Sequence, residues 1–144
     1  MTAATSTREQ AYGALFTLLQ GISGIKTCTR RLNHWADLPP ESQPAIYLQV
    51  GNENRTQQRG LPPHITLEAS VWVYVNTEGE PAGPVINAVL QGIDAVLQPM
   101  EQVTNPNTLG GLVRNCWIEG VTSIYEGDLG DQAVAVIPVK MLIT

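Results

Sequence analysis

Cysteine is scarce in this chain, charge is thin, and no long hydrophobic run occurs. Two cysteines in 144 residues, Cys28 and Cys116, cannot build a disulfide framework. Isolated cysteines in a reducing compartment usually serve as small buried hydrophobes. No apolar stretch reaches the roughly 18 residues that a membrane span requires, and the mean hydropathy of -0.03 is that of a globular chain. The opening MTAATSTREQ lacks a basic segment followed by an apolar one, so folding in a cytoplasm is expected. Chemistry-bearing motifs are missing too: there is no phosphate-binding glycine loop, no nucleophile elbow and no CxxC pair. His34 and His64 have no partners spaced for a metal and read as ordinary surface histidines. Glu126, Asp128 and Asp131 in EGDLGD miss the calcium-loop spacing and read as a solvated hairpin turn. The expectation is a protein that is not an enzyme and carries no cofactor or metal.

Only 15% of the residues are charged, and a net charge of -5 argues against nucleic acid as the main partner. The charge is unevenly spread. Residues 1–59 hold six basic and four acidic side chains, net +2, whereas residues 60–144 hold two basic and nine acidic, net -7. A bipolar chain suits head-to-tail assembly, one subunit's basic edge meeting the next one's acidic edge.

What the chain does have is a strongly patterned strand, His64 to Asn76. Ile65, Leu67, Ala69, Val71, Val73 and Val75 alternate with Thr66, Glu68, Ser70, Trp72 and Tyr74, the period of a strand with one buried face. A one-residue slip would turn the whole apolar row to water, so this strand fixes its neighbours' register. On its second face Trp72 and Tyr74 suit either a subunit contact or a cover by a loop of the same chain.

Ser6 and Glu9 read as a capping box opening a helix with Ala11, Leu15, Leu18, Leu19 and Ile22 on its apolar side, stopped by Gly21 and Gly24. A short strand, TCTRRL, follows, in which Arg30 and Arg31 point to opposite sides. The outward one could meet Glu126 or Asp128 of a neighbouring subunit, or Asp37 or Glu41 of its own. After the proline-rich connection containing Trp35, Ala45 to Val50 alternates again. Residues 51–63, GNENRTQQRGLPP, then form a long polar loop whose Arg55 and Arg59 are candidate contact residues. A second helix runs from Pro84 towards Pro99, with Ile86, Leu90, Ile93 and Leu97 at helical spacing. Two further strands, Leu112 to Ile124 and Asp131 to Ile143, complete the chain, and Pro138 in the last one marks an edge or bulge. Residues 1–144 are therefore expected to form a single α+β domain. It would be a two-layer sandwich, a mainly antiparallel sheet of about five strands with two helices packed on one face.

The run TRRLNHWADLPPESQPAIYLQV, then VWVYVN, a second helix, and LGGLVRNCWIEGVTSIYEGDLGDQAVAVIPVKMLI resembles the tail terminator proteins of long-tailed bacteriophages, the group similar to the lambda minor tail protein U. The likeness runs from about residue 8 to the end. Its most specific parts are Arg30 with Trp35, Pro44-Ala45, and Leu109-Gly110-Gly111 leading to Gly120 and Glu126-Gly127. It implies a virion protein assembled in the host cytoplasm, an α+β subunit of a hexameric ring. Such a ring caps the finished tail tube, stops its polymerisation and offers a surface to the head-tail connector protein. DNA would pass through only as cargo, and no membrane would be involved. Two other classes compete: another ring protein of the phage neck, which would show the same absence of chemistry, and a small ferredoxin-like ligand-binding domain or enzyme, which would need a polar pocket of convergent titratable groups that the sequence does not assemble.

Overall fold

The computed structural model describes residues 7–31, 38–77, 81–97, 107–129 and 132–143; at positions 40, 82 and 126–129 only the backbone is described. The chain runs α1 (Thr7–Gln20), β1 (Thr27–Thr29), β2 (Ala45–Thr56), β3 (His64–Asn76), α2 (Ala82–Leu97), β4 (Asn115–Ile118), β5 (Ser123–Leu129) and β6 (Gln132–Leu142). The strands form one sheet in the order β1-β2-β3-β6-β4, with β5 also on β6. Among the described strands the β1–β2 pairing is parallel and the other pairings are antiparallel. The molecule is thus the expected α+β sandwich, with six strands among the described residues where about five were expected.

The period-2 row of β3 enters the core as its spacing dictates: Leu67, Ala69, Val71, Val73 and Val75 are each at most 3% exposed, and Ile65 is 9% exposed. β6 pairs with β3 from Thr66↔Leu142 to Asn76↔Gln132, which sets Ala133, Ala135, Ile137, Val139 and Met141 beside that row. Both helices cover this face. α1 contributes Ala11, Leu15 and Leu19, and α2 contributes Ile86, Val89, Ile93 and Leu97. Each fully buried aliphatic side chain contributes about 1.5–3 kcal/mol relative to exposure, so this single layer holds most of the stability. The Tyr12 hydroxyl ties α1 to the sheet by donating to the Glu68 carbonyl at 2.9 Å. Ser6, the expected cap of α1, lies outside the described residues, as do Trp35 and His34.

Gly92 interrupts a helical pattern for a reason of packing. A Cβ there would lie 3.1 Å from Ile22 Cγ2, so the glycine lets α2 approach the segment that leaves α1. Pro84 falls in the first turn of α2, where an absent N–H breaks no helical bond.

The expected strand from Leu112 to Ile124 is two strands. β4 pairs with residues 139–142 of β6, β5 with residues 132–136, and they lie in tandem along the same side of β6. Pro138 explains the break. In a strand, the N–H and C=O of one residue point the same way. The Pro138 carbonyl accepts from Glu119 N at 3.4 Å, so its missing donor faces the β4–β5 side, where the ladder is interrupted. Gly120 makes the step with φ 120°, and a Cβ on it would meet Pro138 Cγ at 3.2 Å.

Candidate interaction surface

Three regions carry most of the residues singled out by sequence, two of them on the β1–β2 side of the sheet and one on the opposite side. The first is the far half of the β2–β3 hairpin. Residues 51–63 are not one long loop: β2 extends to Thr56 and pairs with β3 down to Thr56↔His64, leaving only residues 57–63 as the connection. The sequence hid this because every residue from Gln49 to Pro62 is exposed, and a strand with neither face buried has no apolar alternation to show. A one-residue bulge between Val50 and Glu53 begins this arm. Gly51 is required there, since a Cβ would lie 2.9 Å from the Glu68 carbonyl oxygen. Past the bulge, Glu53 pairs with Arg8 of α1, which holds the Glu53 carboxyl below its ordinary range. Arg55 lies opposite Ile65 on the strand, and Arg59 lies in the connecting turn; both are exposed.

The second region is the end of β1, which stops at Thr29, so Arg30 and Arg31 are not on a strand. Strand pairing ends there because β1 meets β2 only at Ala45, Ile46 and Tyr47. Arg30 is half-buried, forms an ion pair with Glu9 of α1 and lies 6.0 Å from the Tyr12 ring centre. Its partner among the described residues is thus intramolecular, Glu9 and not Glu41; Asp37 lies outside the described residues. The Arg30 hydrogen bond pulls the Glu9 carboxyl down. Arg31 is exposed.

The third region is the opposite margin of the sheet, β4 and β5. Glu126 and Asp128 belong to strand β5 and not to a hairpin turn, although their side chains lie outside the described ones. Asp131 lies outside the described residues altogether. Beside them Val121 is 81% exposed, Tyr125 51% and Ile124 48%, apolar surface that the sequence pattern did not single out.

The aromatics of β3 resolve differently from each other. Tyr74 is 3% exposed in a second small core on the face away from the helices, with Leu38, Ala45, Tyr47 and Val134. Its ring lies 5.2 Å from that of Tyr47. It is therefore a packed residue of its own chain, not an available contact. Trp72 is half-buried and donates its indole N–H to Gln49 Oε1 at 2.8 Å. Further along the same face Lys140 pairs with Glu119 at 2.8 Å, and the Trp117 indole donates to the same carboxylate at 3.3 Å. Glu119 is consequently held below the usual carboxylate range by Lys140 first and Trp117 second. Nothing in the sequence linked these three, because their proximity depends on the β4–β6 register Trp117↔Lys140.

Titratable chemistry is sparse. Burial pushes the Cys116 thiol up to about 12 and raises that of half-buried Cys28, so neither is a ready nucleophile. Among the described residues no group of three His, Cys, Asp or Glu is placed to hold a metal. An open groove of about 440 Å³ runs between the end of α1 and α2, lined by Ile22, Ile25, Val85, Val89 and Val96 without a charged side chain. No described helix is long and apolar enough to cross a membrane.

The arrangement is that of a two-layer α+β molecule whose distinctive features are sheet margins and an exposed arm. No family model and no curated protein matches the chain. Solved structures do. One chain in a structure described as "Virion of native gene transfer agent (GTA) particle" superposes with a TM-score of 0.60, covering 97% of this chain and 98% of that one at 9% sequence identity. At that identity the likeness is one of fold.

Proposed function

We propose that this protein is a structural subunit of a phage-like virion that forms a ring on the end of a completed tail tube, stops its polymerisation and presents the surface for head joining. The observation that carries this reading is the whole-length fold likeness to a chain of a gene transfer agent virion. The sequence resemblance to tail terminators supports the same reading. The subunit would assemble in the host cytoplasm into a hexamer, contact the tail tube protein on one side and the head-tail connector on the other, and let DNA pass as cargo. The acidic balance of residues 60–144 fits such a passage, because it withholds the phosphate-binding contribution of basic side chains.

The test is electron microscopy of the purified protein mixed with the tail tube protein of the same genome. Closed rings seated on one end of tubes, and tubes that no longer lengthen, are the expected result. Binding to portal or connector assemblies while tube ends stay bare would instead favour the neck-ring reading, and no ring under any of these conditions would defeat both.

A further inference from the structure

The two margins of the sheet are unlike in charge and open in a complementary way. At one margin β1 covers only residues 45–47 of β2, so among the described residues β2 has no outer partner from Leu48 to Thr56. At the other margin β4 and β5 have β6 on one side and no described strand on the other. An open strand edge is a row of unpaired N–H and C=O groups that accepts another strand. Lys26, Arg31, Arg55 and Arg59 are exposed along the β1–β2 margin. Glu53 on that margin is already engaged by Arg8. The opposite margin carries Glu126 and Asp128 in β5 and Glu119 after β4, with Arg114 as its base. Part of the bipolar charge of the sequence therefore lies on opposite margins of one sheet: Lys26, Arg31, Arg55 and Arg59 on the first, and Glu126 and Asp128 in β5 on the second, where Glu119 is already engaged by Lys140. Exposed apolar side chains accompany both: Val50 and Leu61 on the first, Val121, Ile124 and Tyr125 on the second.

From this we infer that the free edge of β2, Leu48–Thr56, is the docking site for a second copy of the chain, which adds its β4–β5 margin as the next antiparallel strands. The inference rests on the ring reading above. Strand direction supplies the orientation. Copies related by rotation about an axis along the strands keep their direction, and β2 runs opposite to β4 and β5, because β3 opposes β2, β6 opposes β3, and β4 and β5 oppose β6. The contact is heterologous, with different surfaces on the two partners, and such contacts close into rings when the rotation allows. Each margin also contains a bulge, between Val50 and Glu53 in β2 and between Glu126 and Leu129 in β5. Bulges bend and twist a strand, which opposes flat, endless edge addition and favours a curved, closing sheet.

The experiment uses the full chain and two charge-reversed forms. One carries Arg31→Glu, Arg55→Glu and Arg59→Glu; the other carries Glu126→Lys and Asp128→Lys; circular dichroism verifies that both fold. Association is measured by analytical ultracentrifugation across concentration, alone and with tube ends present. Each variant alone should associate about tenfold or more weakly, because both of its margins then carry the same sign. An equimolar mixture of the two should assemble again, as alternating subunits, and so should a chain carrying both sets. In parallel, hydrogen exchange should show the 49–56 amides and those of β4 and β5 becoming protected on assembly. Assembly of normal strength in both variants, or rings whose 49–56 amides stay unprotected, would overturn the edge contact while leaving the ring reading intact. A chain that never associates, with or without tube ends, would remove both.

Discussion

The two halves of β2 are one strand with two kinds of stability. From Ala45 to Leu48 every side chain is at most 1% exposed, alternating between the helix-covered core and the small core around Tyr47 and Tyr74. From Gln49 to Thr56 every residue is exposed, yet the same ladder to β3 continues. The near half is held by burial on both faces, and the far half by backbone pairing, a bulge and one ion pair to α1. Backbone pairing supplies geometry, whereas burial supplies most of the free energy. A strand can therefore be present where its sequence shows no strand pattern, provided its partner is well fixed, and β3 is.

The largest contrast is expected from Leu48→Ala. Its side chain is 1% exposed among core residues, and truncation should cost about 2–5 kcal/mol from lost transfer energy and the cavity left behind. Denaturant unfolding measures it. A cost as small as that of an exposed position would mean that the near half is not held by burial. Gly51→Ala acts at the junction between the halves. The new Cβ would meet the Glu68 carbonyl at 2.9 Å, a backbone atom that cannot swing aside, so a loss of about 1–3 kcal/mol is expected. Gly60→Ala, with no neighbouring atom within 4 Å of the new Cβ but a φ of 83°, separates backbone strain from this clash.

The smallest effect belongs to the far half's ion pair. Glu53 has its carboxyl lowered first by the hydrogen bond from Arg8. A lowered folded-state value means that the pair supports the arm above the ordinary carboxylate range, and that the support is lost as pH falls through that range. Both partners are well exposed, so the change should be slight and should fade with added salt. Amide exchange of residues 51–56, compared between wild type and Glu53→Gln at neutral pH and under acid, reads it locally. Equal exchange in the two proteins at neutral pH would show that the ladder alone holds the arm.

The core of this protein was legible in its residues. The odd row of β3, the apolar faces of both helices and the alternation of β6 each point to one buried surface, and period-2 and period-3.6 patterns are written wherever a face is buried. The α+β class and the helix-covered side of the sheet follow from them. Several features carry no such signature. The far half of β2 is two-sided polar, so only pairing with β3 defines it. The break between β4 and β5 needs Gly120 to lie against Pro138, which are 18 positions apart in the sequence. Tyr74 and Trp72 share a face and an alternation, yet Tyr74 is sealed over by Leu38 and Tyr47 while Trp72 stays half open, a difference set by what packs above them. Arg30 took Glu9 as its partner because α1 passes beside the end of β1, a neighbourhood that spacing cannot reveal. The sequence by itself determined which side chains must leave water and that opposite charges collect in its two parts. Tertiary structure alone decided that β1–β2 from the one part and β4–β5 from the other become opposite margins of a single sheet, because edge position depends on strand order, and strand order is a property of the assembled ladder.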